Sequence, residues 1–323
     1  MFKLCFIFIL NQYKKLYIES ILVKFLVIII TTINFCIYSN VFVNFYGNIG
    51  NQMFQYAVGY AIAQEKKVDL ILTKNTLNNS YNLSHKNNSL LCSPRFYFSE
   101  LDSNGYVTDS QKFKPELFLV NDNTAISGYF QTDKYFIKHR TDLINIFTFK
   151  DRTIEQKIKL LSKDIKKKIA CMHIRASDYF TNGFPVMDYD YYIKAIKMTL
   201  TLLNASLDEF FFMIISDDTD GEYVKKITAK IKAAFNGINI DWYKQNNELE
   251  FTLMKQADVC ITSASSFSWW AAWLNKRCKI IISPKYWFNY YKTGKDVVSE
   301  PLDIEMSLNN QHFILSEGFF HNL

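Results

Sequence analysis

Between residues 169 and 283 the chain alternates short apolar runs with segments whose apolar residues recur at helical spacing. Strands are predicted at residues 169–174, 209–216, 238–243, 258–262 and 279–283. Between them, Ile193, Ile196, Leu200 and Leu203, then Val224, Ile227, Ile231 and Phe235, keep the period of an amphipathic helix. Shorter helices are predicted over residues 249–257 and 266–275. Neighbouring parallel strands need long crossovers, and a helix supplies one. This rhythm therefore gives an α/β fold with a parallel, doubly wound sheet.

Such sheets bind ligands beyond the C-terminal ends of their strands, where free N–H groups of helix starts favour anions. Three notable stretches fall at those ends: His173-Ile174-Arg175, Ser216-Asp217-Asp218 and Ser263-Ala264-Ser265-Ser266. Further upstream, residues 41–46 read as a strand and Gly47-Asn48-Ile49-Gly50-Asn51-Gln52 as a tight loop. The pairs Met53/Phe54, Ala57/Val58 and Ala61/Ile62 then form one apolar helix face. Residues 75–130, rich in Asn and Ser, carry no readable pattern, and a charged stretch closes at residue 168. At 323 residues the chain is long enough for two domains. The expected division is an extension over 1–40, an N-terminal domain over 41–165 and a C-terminal domain over 166–323.

Half of the net charge of +6 lies in the first 24 residues, where Lys3, Lys14, Lys15 and Lys24 face Glu19. The rest is spread thinly, so no nucleic-acid partner is expected. Residues 21–38 hold one charge in 18 positions, close to the ~20 apolar residues of a membrane span, which makes membrane association through this segment an expectation. The six cysteines show no CxxC spacing, which favours a reducing compartment and a cytoplasmic location. The histidines show no paired ligand spacing, and no nucleophile elbow is present.

Arg175 follows an apolar strand, and its fixed fork of N–H groups matches the oxygens of a diphosphate. Ser263 to Ser268 precede Trp269 and Trp270, where hydroxyls and helix-start amides could take phosphate oxygens. The glycines at 47 and 50 allow close approach of the backbone, but the loop is not the G-x-G-x-x-G of a dinucleotide fold. Asp217, Asp218 and Asp220 could hold a divalent cation on a nucleotide sugar, and Asp188-Tyr189-Asp190 is a second acidic pair. Each pair has a helix just downstream, and helix capping is the favoured reading of both.

Taken together, the segments 47–57, 128–136, 173–179, 212–218, 251–254 and 265–270 resemble the bacterial alpha-1,2-fucosyltransferases of glycosyltransferase family 11. The resemblance implies a GT-B fold, two Rossmann-like domains facing across a cleft, and transfer of L-fucose from GDP-fucose to a galactose-terminated glycan in surface-glycan synthesis. No metal or other cofactor is implied. The candidate binding residues are Gly47, Asn48, Gly50, Asn51, Gln52, His173, Arg175, Asp217, Glu250, Ser265 and Ser266, and of these the resemblance implies His173 at the guanine edge, Glu250 reading its N–H groups and Ser265 and Ser266 on the phosphates. Arg175 would hold the diphosphate, and Asp178 or His173 would take the acceptor's proton. Three positions depart from the family pattern: Asn48, Ala176 and Ala264. Ala176 stands where a second arginine is expected, which keeps a noncatalytic nucleotide-sugar binder as an alternative beside a metal-dependent transferase.

Overall fold

The computed structural model describes residues 24, 40–73, 97–99, 106–108, 113–121, 124–149, 151–177, 179, 186–285, 306 and 312–315. The expected membrane segment at 21–38 lies outside these residues except for Lys24. No described helix is long and apolar enough to cross a membrane.

Two parallel sheets organise the chain. In the first, β1 (Asn40–Val43) leads through α1 (Ile49–Lys66) to β2 (Asp69–Thr73), followed by β3 (Tyr97–Ser99), β4 (Tyr106–Thr108) and β5 (Thr124–Ser127). The strand order is β3-β2-β1-β5-β4. The apolar pairs of α1 are almost completely buried, as their spacing requires. Strands β3 to β5 arise from the stretch whose sequence was unreadable. They are three or four residues long, too short for a period of two to emerge.

Helices α2 (Arg140–Ile146) and α3 (Arg152–Ile165) lead into the second sheet. Its elements are β6 (Lys168–Ile174), α4 (Tyr189–Leu203), β7 (Phe210–Ser216), α5 (Glu222–Ala234), β8 (Ile240–Trp242), α6 (Asn247–Gln256), β9 (Val259–Ile261), α7 (Ser266–Trp273), β10 (Ile280–Pro284) and β11 (His312–Leu315). The order is β11-β10-β9-β6-β7-β8, parallel throughout. All five predicted strands are present. Strand β11 was not foreseen, because its four residues show no alternation and it pairs with β10 from far along the chain. The chain runs outward from β6 to β8, then returns beside β6 with β9. Crossovers diverge at that point, leaving a crevice beyond the ends of β6 and β9.

One hydrophobic core joins the sheets. Helix α7 is apolar all round, and Trp269, Trp270 and Trp273 are fully buried. The Phe54 ring from α1 lies 4.5 Å from Trp269 and 4.9 Å from Trp270, and Phe136 stacks on Trp270 at 5.3 Å. Trp273 donates its indole N–H to buried Asp133 (3.0 Å), while Arg140 donates to the Trp273 carbonyl (2.7 Å). Each large ring buried here contributes on the order of 2 kcal/mol. The helix that opens the crevice of the second sheet is thus seated on the first.

Candidate active site

The crevice is built from the ends of β6, β7 and β9. Strand β6 carries His173 into it fully enclosed, and the His173 Nδ1 shares a 2.7 Å hydrogen bond with Ser263 Oγ, just past β9. Two buried tyrosines of α4 hold these strand ends from beneath. Tyr192 donates to the His173 carbonyl (3.0 Å) and Tyr191 to that of Thr262 (2.7 Å). Burial, aided by the nearby Arg175 charge, pushes the His173 pKa down to about 3. Its imidazole is neutral at any ordinary pH and a weak base.

Arg175 is the first residue beyond β6 and remains partly accessible. Its guanidinium contacts Asp217 Oδ2 at 3.0 Å, and the other oxygen of Asp217 accepts the Ala176 N–H at 3.0 Å. On its other side, the guanidinium lies over the Tyr179 ring, 4.9 Å from its centroid. Tyr179 in turn donates its hydroxyl to the Ala264 carbonyl (2.7 Å) in the serine-rich loop. A carboxylate from β7 and an aromatic face thus hold the fork in place. Ala176, where the resemblance called for a second arginine, is fully buried.

Ser265 precedes α7 with extended backbone and does not cap the helix with its side chain. Phe267 spaces the site, with its ring 5.5 Å from His173 and 5.3 Å from Phe251. Glu250, in the first turn of α6, is buried and accepts the Gln245 N–H at 3.0 Å. Burial, with Asp217 nearby, raises its pKa to about 7. His173, Arg175, Asp217, Glu250, Ser265 and Ser266 therefore gather around one crevice.

The Gly47–Gln52 loop reaches the same place from the first sheet. Gly47 adopts φ +75°, a left-handed turn that a side chain would strain. A Cβ on Gly50 would sit 2.5 Å from Ser266 Oγ and 2.8 Å from the Phe267 backbone nitrogen, so only glycine permits this approach to α7. The structure uses Gln52 and Asn51 to shape the loop. Gln52 is buried and donates to the Gly47 carbonyl (2.9 Å), and Asn51 accepts from the Gln131 side chain (2.9 Å). Gly47 and Asn48 are exposed.

The acidic runs divide. Asp188 caps α4, accepting from the Asp190 and Tyr191 N–H groups, as expected. The 217–220 run is not a cap: α5 begins after Gly221 with no side-chain cap, Asp217 turns to Arg175, and Asp220 pairs with Lys244. The adjacent strand end drew Asp217 away, a contact sequence spacing does not show. Among the described residues no group of three or more His, Cys, Asp or Glu side chains is arranged so that it could hold a metal ion. Asp178 lies outside the described residues. Sequence reasoning passed over Tyr179, Tyr191 and Tyr192, whose hydroxyls bond to backbone carbonyls and so leave no motif.

Glycosyl transferase family 11 matches residues 22–320. An Escherichia coli alpha-1,2-colitosyltransferase is 31% identical over 275 residues, covering 75% of this chain and 90% of that protein. The E. coli O-antigen biosynthesis glycosyltransferase WbnK is 26% identical over 305 residues, covering 75% of this chain and 93% of its own. Among solved structures, fucosyltransferase NodZ from Bradyrhizobium covers 76% of this chain and 95% of its own, at 9% identity and a TM-score of 0.44.

Proposed function

Since the chain belongs to glycosyl transferase family 11, and is therefore a glycosyltransferase, we propose that it moves L-fucose from GDP-fucose to a galactoside hydroxyl in an alpha-1,2 linkage. The observation that carries this reading is Arg175, held by Asp217 and Tyr179 at the mouth of the crevice beside the start of α7. A guanidinium and a row of helix-start amides are the right pair for a diphosphate. His173 and Glu250 line the same crevice, where an ionised Glu250 can accept two guanine N–H groups.

The reaction is an inverting single displacement. The bond from the anomeric carbon to the diphosphate breaks as the acceptor oxygen bonds to the opposite face of that carbon, and the electron pair leaves with GDP. Negative charge therefore grows on the diphosphate, and the Arg175 fork and α7 amides act most strongly at that moment. The acceptor hydroxyl must lose a proton. Asp178 is the proposed acceptor of that proton, since His173 is fully enclosed and its Nδ1 is already bonded to Ser263.

The dispersal of the acidic run supports a metal-free reaction, since Asp217 and Asp220 each answer a cation of the chain. The test is mass spectrometry of products after incubation with GDP-fucose and a panel of galactosides, with and without EDTA. A fucosylated product formed equally in both arms is expected. GDP binding with no product would make the chain a binder, and loss in EDTA with rescue by Mn²⁺ would restore the metal reading. A second nucleotide sugar merits an arm of its own. The 31% identical relative is named for transfer of colitose, the 3-deoxy counterpart of fucose, so GDP-colitose should compete if the pocket tolerates the missing hydroxyl.

A further inference from the structure

Beside the Gly47–Gln52 loop, on the first sheet, two tyrosine rings stand together with no role in the chemistry above. Tyr46 follows β1 and Tyr129 follows β5, adjacent parallel strands, so both lie at the ligand-binding end of the sheet. Their centroids are 4.9 Å apart and their planes meet at 73°. Tyr129 is 42% exposed, one of five exposed large hydrophobic side chains among the described residues.

Both positions are firmly built. The fully buried Gln55 side chain accepts the Tyr46 N–H (3.1 Å) and donates to the Tyr46 carbonyl (3.2 Å), fixing that residue's backbone as a neighbouring strand would. Beyond Tyr129 the chain turns sharply. Phe130 takes φ +50°, an unfavourable region for a bulky residue, and its carbonyl accepts the Thr132 N–H at 2.7 Å. That conformation sends the Phe130 ring into the core, edge-on to Tyr135, while Tyr129 stays outside. Strain retained beside a site is a sign of function.

The geometry points to Tyr129, braced by the steeply inclined Tyr46 ring, as a stacking platform for the acceptor sugar, a galactoside laid with its apolar C–H face on the Tyr129 ring. The assignment rests on the glycosyltransfer reading above. A pyranose with an axial hydroxyl on one face presents ring C–H groups on the other, and these carry slight positive charge toward the negative face of an aromatic ring. The loop from Tyr46 runs directly to Gly50, which touches Ser266, so a sugar on the platform lies next to the crevice.

The test is saturation-transfer NMR with lactose as the probe and GDP present, on wild type, Tyr129→Ala and Tyr129→Phe, beside calorimetry with GDP alone. The platform requires saturation of galactose ring protons in wild type, loss on the order of tenfold in lactose affinity for Tyr129→Ala, and retention for Tyr129→Phe. GDP affinity and the melting temperature should be the same in all three. No lactose contact in wild type, or an unchanged one in Tyr129→Ala, overturns the platform, as does a GDP affinity that falls with the ring. Absence of GDP binding in wild type would instead overturn the reading on which it rests, whatever lactose does.

Discussion

The two strand-end regions that meet at α7 solve different problems with different chemistry. On the second sheet the crevice is ionic: Arg175, Asp217 and Glu250 stand around His173, and Asp217 spans the Arg175 side chain and the Ala176 amide. On the first sheet it is neutral, with amide side chains shaping the loop and a pair of tyrosines of which Tyr129 is exposed. A diphosphate demands fixed charge and a sugar demands shape and apolar contact. One end of the molecule is therefore expected to respond to charge, the other to volume.

The largest effect should come from the ionic side. On the proposed reading Arg175→Ala removes the cation that would meet the growing charge of the departing diphosphate, and roughly a thousandfold loss of turnover is expected. The melting temperature should fall by only several degrees, since Asp217, left without the guanidinium, still accepts the Ala176 N–H and can draw in water. Turnover near normal in this variant would erase the contrast. Next comes the contact between the two regions. Gly50→Ala forces a Cβ to 2.7 Å from the Ser266 carbonyl carbon and 2.8 Å from the Phe267 nitrogen, both backbone atoms. The loop and helix start must separate, and a misplacement of that kind costs about a hundredfold in rate. Unchanged kinetics would mean that the two regions act independently.

The seam below them invites a measurement of stability rather than rate. Trp273→Phe keeps a large apolar ring but removes the N–H that Asp133 accepts in a fully buried place. A buried carboxylate short of one donor costs about 1–3 kcal/mol, and for a chain of this size the melting temperature should fall by roughly 5 °C. No change in thermal unfolding would show that packing alone joins the halves.

How far the sequence reveals these regions differs between them. The second sheet could be read strand by strand because its strands β6 and β7 are long, buried on both faces and separated by helices with a clear period. The same clarity put Arg175 and the serines at strand ends, which is why they were candidates at all. The first sheet's strands are short, and its tyrosines act through chain reversal at Phe130 and a clamp from Gln55, neither of which leaves a pattern. Asp217 shows the remaining limit. Its downstream helix suggested a cap, but the neighbouring strand end offered an arginine and an amide, and tertiary contact prevailed over local spacing.

The smallest effect expected is a matter of pH, and it separates the two regions by titration. Glu250 is raised to about 7 because burial penalises its charge and Asp217 lies near, while guanine requires the ionised form to accept its N–H groups. Binding of GDP must then draw a proton off Glu250 whenever the pH lies below about 7. Affinity should be flat above that value and fall as pH drops below it, approaching tenfold per unit. Glu250→Gln, which cannot titrate and offers a donor where guanine also donates, should bind GDP more weakly at pH 8 and lose the slope between pH 7 and 5 that the carboxyl would impose. Lactose contact on the tyrosine platform should not follow this curve, since it rests on apolar contact rather than charge. Calorimetry with GDP in two buffers of different protonation enthalpy reads the released proton directly. A binding enthalpy independent of buffer at pH 6 would mean that Glu250 is not the group that meets the base.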